Sequence, residues 1–170
     1  TERKNPKIII ESLETIDGNV SLEIIGQTPN LKYLKELNNL ISSSKHAENI
    51  TMTPFIKAEE LISKYSSANL FILPSKSEGL GRVIIEAQST ACPVLVSSNT
   101  GMVDLIIENE TGYIFENNNK NDLSNKIQHI MNNYESALQT GLNSKDFVKE
   151  NQSVANFEFG YKKLIDLVST

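Results

Sequence analysis

Short, uninterrupted apolar runs alternate along this chain with longer stretches of helical period, and that alternation restricts the fold more than any other feature. Leu70 to Pro74 and Pro93 to Ser98 are brief and continuous, as in strands of a parallel sheet covered on both faces. Leu22 to Ile25 ends at Gly26, Asn49 to Thr53 is stopped by Pro54, and Gly112 to Phe115 closes the set of predicted strands. Between and after them lie the predicted helices Ile8 to Ile16, Leu31 to Ile41, Glu59 to Tyr65, Gly81 to Ala91, Val103 to Glu108, Asp122 to Asn132 and Ser136 to Glu150. Phe157, Tyr161, Leu164, Ile165 and Val168 form an amphipathic stripe over a last helix, Val154 to Val168. Strands alternating with helices predict an α/β fold: a Rossmann-like, doubly wound parallel sheet with helices on both faces.

A length of 170 residues with 39% hydrophobic content suits one domain over residues 1–170, its C-terminal helices spanning 122–168. A doubly wound sheet normally begins with its central strand, yet this chain enters a helix almost at once. The expectation is a fragment that starts just past a missing first strand. The turn Asn117-Asn-Asn-Lys-Asn121 reads as the lead-in to a helix capped by Asn121 or Asp122.

Net charge is −5, which gives no electrostatic support to a nucleic-acid partner. The lone cysteine, Cys92, precludes an intrachain disulfide and reads as a small buried hydrophobe. No apolar stretch reaches membrane-spanning length. His46 reads as an exposed loop residue and His129 as a helix-surface residue, and neither has metal-ligand neighbours in sequence.

The chemistry concentrates in Leu73-Pro-Ser-Lys-Ser-Glu-Gly-Leu-Gly-Arg-Val-Ile-Ile-Glu-Ala87, which sets Glu78 and Glu86 seven residues apart around Gly79 and Gly81. A carboxylate in a stretch that reads as buried needs hydrogen-bond donors, and ligand hydroxyls are one source. Ligands of open parallel sheets bind outside the carboxyl ends of the strands, where this loop follows Leu70 to Pro74. The glycines permit close backbone approach, and the amides of Gly81, Arg82 and Val83 at the helix start suit a phosphate. A carboxylate that accepts two bonds suits a vicinal diol such as ribose. As a dinucleotide fingerprint the stretch is poor, since Ile84 stands in place of the third glycine and no acid ends the next strand.

Glu78-Gly-Leu-Gly-Arg-Val-Ile-Ile-Glu86 resembles the paired-glutamate signature of retaining, nucleotide-sugar-dependent glycosyltransferases of family 4, which have the GT-B fold. Arg3 to Pro6, Leu22 to Gly26, Ala68 to Ser75, Pro93 to Ser97 and Glu110 to Gly112 resemble further segments of that family's C-terminal domain. The resemblance implies that Glu78, the candidate catalytic residue, contacts the donor sugar, with the Gly79, Leu80 and Gly81 backbone against its hydroxyls. It implies that Glu86 binds ribose, that amides near Arg82 and Val83 hold the distal phosphate, and that Lys4 neutralises the diphosphate. It implies neither metal nor separate cofactor, the donor being a UDP- or GDP-linked sugar. The implied activity is retaining transfer of a hexosyl group to a saccharide or lipid-linked acceptor, held by an N-terminal partner domain. The implied location is the cytoplasm, with peripheral membrane contact left to that partner domain. The chain departs from the family pattern at Ala91, where glycine is usual, at Thr100-Gly101 for paired glycines, at Val103-Asp104 for Pro-Glu, and at Pro54 for a frequent glycine. Two alternatives stay open: a non-catalytic nucleotide-sugar-binding module and a GT-B-like sugar-nucleotide epimerase.

Overall fold

The computed structural model describes residues 1–79 and 81–151. Leu80 and the expected helix Val154 to Val168 lie outside the described residues. A 3-10 turn, Glu2–Lys4, leads into α1 (Pro6–Leu13), β1 (Leu22–Ile25), α2 (Leu31–Ser43), β2 (Ile50–Thr53), α3 (Ala58–Ser67) and β3 (Phe71–Leu73). Then follow α4 (Val83–Ser89), β4 (Val94–Ser97), β5 (Tyr113–Phe115), α5 (Lys120–Asn132) and α6 (Tyr134–Asn151). Every strand pairing is parallel, as the alternating pattern requires.

The side-chain period of two sorts the residues of β3, β4 and β5 between two cores. On β4, Leu95 joins a core built from Ile8, Ile9 and Ile10 of α1, Leu37 of α2, and Leu123 and Ile127 of α5. Its neighbours Val94 and Val96 point the other way, into a core with Tyr65 of α3, Leu73, and Ile84 and Ala87 of α4. Helices α1, α2 and α5 therefore cover one face and α3 and α4 the other. All three β4 residues are fully buried, each contributing roughly 1.5–3 kcal/mol.

The parallel strands of the described residues fall into two groups. Among the described residues β1 pairs with β2, and β3-β4-β5 form a separate sheet. The consequence shows in burial. Leu22, Ile24 and Ile25 of β1 and Phe71 and Ile72 of β3 remain half-buried, because each of these strands is hydrogen-bonded along one edge only.

Helix ends also differ from their predicted positions, each for a local reason. Asn119, not Asn121 or Asp122, caps α5, its side chain accepting from the Asn121 and Asp122 amides at 3.1 Å each. The segment after Met102 makes only a 3-10 turn, Val103–Leu105, because Ile106 turns extended and the Ile107 amide donates to Thr111 Oγ1. His46 is half-buried, its Nε2 lying 3.2 Å from the Leu13 carbonyl. Helix α4 starts at Val83, not Gly81, since Gly81 has a left-handed φ of 49°. It stops at Ser89, since Ala91 is left-handed too, with φ 63°.

At that C-terminus the Cys92 amide reaches back to the Ala87 carbonyl and the Ala91 amide to that of Gln88, a Schellman closure. Glycine usually holds the left-handed position, and an L-residue there costs about 1–2 kcal/mol. Ala91→Gly is therefore expected to stabilise the chain by about 0.5–1 kcal/mol after the greater freedom of the unfolded glycine is subtracted. The urea unfolding midpoint measures this, and should move upward.

Candidate functional site

Residues from three distant parts of the chain meet at the carboxyl end of β3. Strand β3 ends at Leu73, and Pro74 and the fully buried Ser75 carry the chain into the loop that bears Glu78. The N-terminal 3-10 turn is fastened to this loop. Lys76 donates its amide to the Arg3 carbonyl at 2.9 Å, and Arg3 Nη1 donates to the Ser77 carbonyl at 2.9 Å. On the other side the Gly101 amide donates to the Glu78 carbonyl at 2.8 Å, which joins the loop after β4 to the loop after β3.

Glu78 is the centre of this arrangement. Its Oε2 accepts from Lys4 Nζ and from Ser75 Oγ, the latter at 3.3 Å, and lies 3.4 Å from Arg3 Nη1. The side chain keeps only 11% of its exposure, so a carboxylate here needs these donors. Burial alone pushes the carboxyl up. The Lys4 hydrogen bond and the charges of Lys4 and Arg3 outweigh it, and Glu78 titrates below its ordinary value.

The structure brings Lys4 and Glu78 into direct contact, and Glu78 and Gly79 line an open pocket of about 490 Å³. Arg3, Ser77 and the Ser98 to Gly101 loop complete the lining. Glu86 is not part of that lining. The late start of α4 puts Glu86 in the helix's first turn, not over a turn further along. It is exposed, so the burial argument that applies to Glu78 does not apply to it. Its neighbour is Tyr65 of α3, whose buried ring packs edge-on against Phe71 at 5.3 Å between centroids. Burial, and then the Glu86 carboxylate beside its hydroxyl, raise the Tyr65 phenol far above its ordinary value, so Tyr65 stays protonated. Arg82 is exposed and precedes α4, and Val83 opens it.

The glycines have separate duties. A Cβ on Gly79 would meet nothing within 4 Å, leaving that backbone open toward the pocket. On Gly101 it would lie 1.8 Å from the Gly79 carbonyl oxygen. In the Thr100-Gly101 pair, the glycine is the residue whose loss would separate the loops. Cys92, by contrast, is structural: burial raises its thiol to about 11, and its sulfur lies 3.5 Å from the Pro93 carbonyl.

Arg3, Ser75 and the Thr100-Gly101 loop were not among the candidate site residues. Arg3 sits beside Lys4 in sequence, but adjacency does not say which of two cations turns toward a carboxylate 74 positions away. Tyr65 carried no signal beyond its place on an apolar helix face.

An α/β layer with parallel strands, helices on both faces and a polar pocket at the strands' carboxyl edge is the architecture of GT-B glycosyltransferase C-terminal domains. The Anabaena HepE protein, solved in complex with UDP and glucose, superposes over the whole of this chain with a TM-score of 0.87 at 19% identity; this chain covers 46% of it. The C-terminal domain of a glycosyl transferase group 1 family protein from Francisella tularensis matches 91% of this chain, which covers 82% of that domain, with a TM-score of 0.83 at 21% identity. The sequence profile described as Glycosyl transferases group 1 matches residues 1–147, and the chain belongs to that family. An uncharacterized glycosyltransferase of Methanocaldococcus jannaschii is 31% identical over 150 residues, 87% of this chain and 40% of that protein. The capsular polysaccharide biosynthesis glycosyltransferase CapM of Staphylococcus aureus is 32% identical over 117 residues, 67% of this chain and 29% of its own length. The chain thus spans less than half the length of these two relatives.

Two outcomes check the site's construction. Gly101→Ala should lower the melting temperature by several degrees, from overpacking of about 1–3 kcal/mol, whereas Gly79→Ala should leave it unchanged. Because the folded-state value of Glu78 is depressed, its contribution to stability is present above the unfolded carboxyl value of roughly 4.3 and is lost as pH falls through the lower folded value. Lys4→Met should therefore flatten the acid limb of a stability-versus-pH curve; an unchanged limb would mean that the pair contributes no pH-dependent stability.

Proposed function

We propose that this chain is the donor-binding, C-terminal half of a retaining glycosyltransferase of family 4 that uses a UDP- or GDP-linked sugar. The observation that carries this reading is the junction of Lys4 and Glu78 beside the open Gly79 backbone, at the carboxyl edge of a parallel sheet. Sugar transfer from a nucleoside diphosphate breaks the bond between the anomeric carbon and a phosphate oxygen. Negative charge grows on the departing diphosphate, and a cation fixed beside it lowers the barrier more than it stabilises the bound substrate. Lys4 supplies that charge, held in place by the fastened N-terminal turn. Glu78 accepts hydrogen bonds from sugar hydroxyls and fixes the ring relative to the leaving group. Glu86 accepts the two ribose hydroxyls, with Tyr65 steadying its carboxylate. The amides of Arg82 and Val83 face the distal phosphate, and the Gly79, Leu80 and Gly81 backbone lies along the sugar.

The relatives support this reading. HepE was solved with UDP-glucose, and a GDP-mannose-dependent mannosyltransferase of Mycobacterium tuberculosis is 24% identical over 156 residues. An N-terminal domain would bind the acceptor, a saccharide or lipid-linked sugar, and make any membrane contact. On this reading the present chain binds donor in the cytoplasm but does not turn it over alone.

Titration calorimetry with UDP-glucose and GDP-mannose tests the assignment. One of the two should bind, and Glu86→Ala should weaken it by roughly tenfold or more, the worth of hydrogen bonds to a charged group. Failure of every UDP- and GDP-sugar to bind would sink the donor-site reading. Interconversion of a sugar nucleotide by the full-length protein without any acceptor would favour an epimerase.

A further inference from the structure

The two groups with separate tasks in donor binding are bonded to each other. Lys4 Nζ, assigned to the diphosphate, sits on Oε2 of Glu78, assigned to the sugar. The same oxygen also takes Ser75 Oγ at 3.3 Å and lies 3.4 Å from Arg3 Nη1. The partners differ in freedom. Ser75 is fully buried and its hydroxyl is a fixed donor, whereas the Lys4 side chain keeps 39% of its exposure and ends a four-carbon stem. The backbone around Lys4 is held by the Arg3 contacts to Lys76 and Ser77. The ammonium can therefore swing without moving the turn that carries it.

We propose that the Lys4–Glu78 pair is a latch coupling the two halves of the donor site: diphosphate draws Lys4 off Glu78, and the carboxylate so freed accepts the sugar. The proposal rests on the donor-site reading above. Its physical basis is competition for one ammonium. A diphosphate presents more charge and more acceptor oxygens than a single carboxylate, so it wins the exchange but loses the free energy of the broken pair. Glu78 keeps Ser75 as a donor throughout and needs further donors once Lys4 has left, which sugar hydroxyls provide. A nucleoside diphosphate without a sugar opens the latch and leaves Glu78 short of partners. A nucleotide sugar opens it and satisfies both groups. Discrimination in favour of the loaded donor over the spent one follows from this pair alone.

The test compares nucleotide and nucleotide-sugar affinity in the full-length protein. Titrations with UDP, GDP, UDP-glucose and GDP-mannose are run on wild type, Glu78→Gln and Glu36→Gln. The last removes an equal charge from an exposed pair with Lys7 that lies outside the pocket lining. Glu78→Gln should bind the nucleoside diphosphate about five- to tenfold more tightly and the nucleotide sugar no more tightly, while Glu36→Gln changes either by less than twofold. Unchanged diphosphate affinity in Glu78→Gln, or an equal gain in Glu36→Gln, overturns the latch. A crystal structure of the wild-type diphosphate complex provides a readout independent of any variant: Lys4 should have moved to phosphate oxygens, and a Lys4 still seated on Glu78 Oε2 overturns the proposal. If neither UDP nor GDP binds any of the proteins, the donor-site reading fails first.

Discussion

The two-sided burial of β4 is the constraint on which the rest of this structure depends. Leu95 faces one core and Val94 and Val96 the other, all without exposure to solvent. A strand of this kind cannot lie at a surface, so both faces of its sheet must carry helices. With α1 and α5 covering one face and α3 and α4 the other, the parallel direction of the strands within each sheet brings every loop after a strand to the same edge. The polar pocket forms there, between the loops that leave β3 and β4.

Backbone and side-chain contacts together hold that edge. The Arg3 carbonyl receives the Lys76 amide, and the Glu78 carbonyl receives the Gly101 amide. Three segments far apart in sequence are thereby fixed in a row, with Glu78 in the middle. The electrostatics follow from the geometry. A carboxylate with little exposure is tolerable because two cations and a buried hydroxyl surround it. The same surroundings depress its titration and leave the Gly79 backbone free beside it.

Most of the fold was legible in the sequence, because apolar period reports burial directly. The runs at Leu22, Asn49, Leu70, Pro93 and Gly112 all became strands, and the helical stretches at Leu31, Glu59 and Asp122 became helices within a few residues of their expected ends. The errors share a cause. The expected α4 runs past both ends of the helix because Gly81 and Ala91 take left-handed conformations, which apolar period does not report. Asn119 caps α5 in place of Asn121 or Asp122 because four asparagines and an aspartate within residues 117–122 make near-equal candidates. The grouping of the strands into β1-β2 and β3-β4-β5 is a matter of hydrogen bonding that periodicity does not report.

The sequence by itself determined the class of fold and pointed to the segment from Glu78 to Glu86 as the candidate site, with Lys4 added by the family resemblance. It did so because short apolar runs, glycine spacing and charged residues in apolar stretches are local properties. Only the tertiary structure decided that Lys4 hydrogen-bonds Glu78 with Arg3 3.4 Å from the same oxygen, that Ser75 and the Thr100-Gly101 loop belong to the site, and that Glu86 stands apart beside Tyr65. Those relations join residues tens of positions apart. They depend on which strand ends lie next to one another, a matter settled by packing two cores around β4.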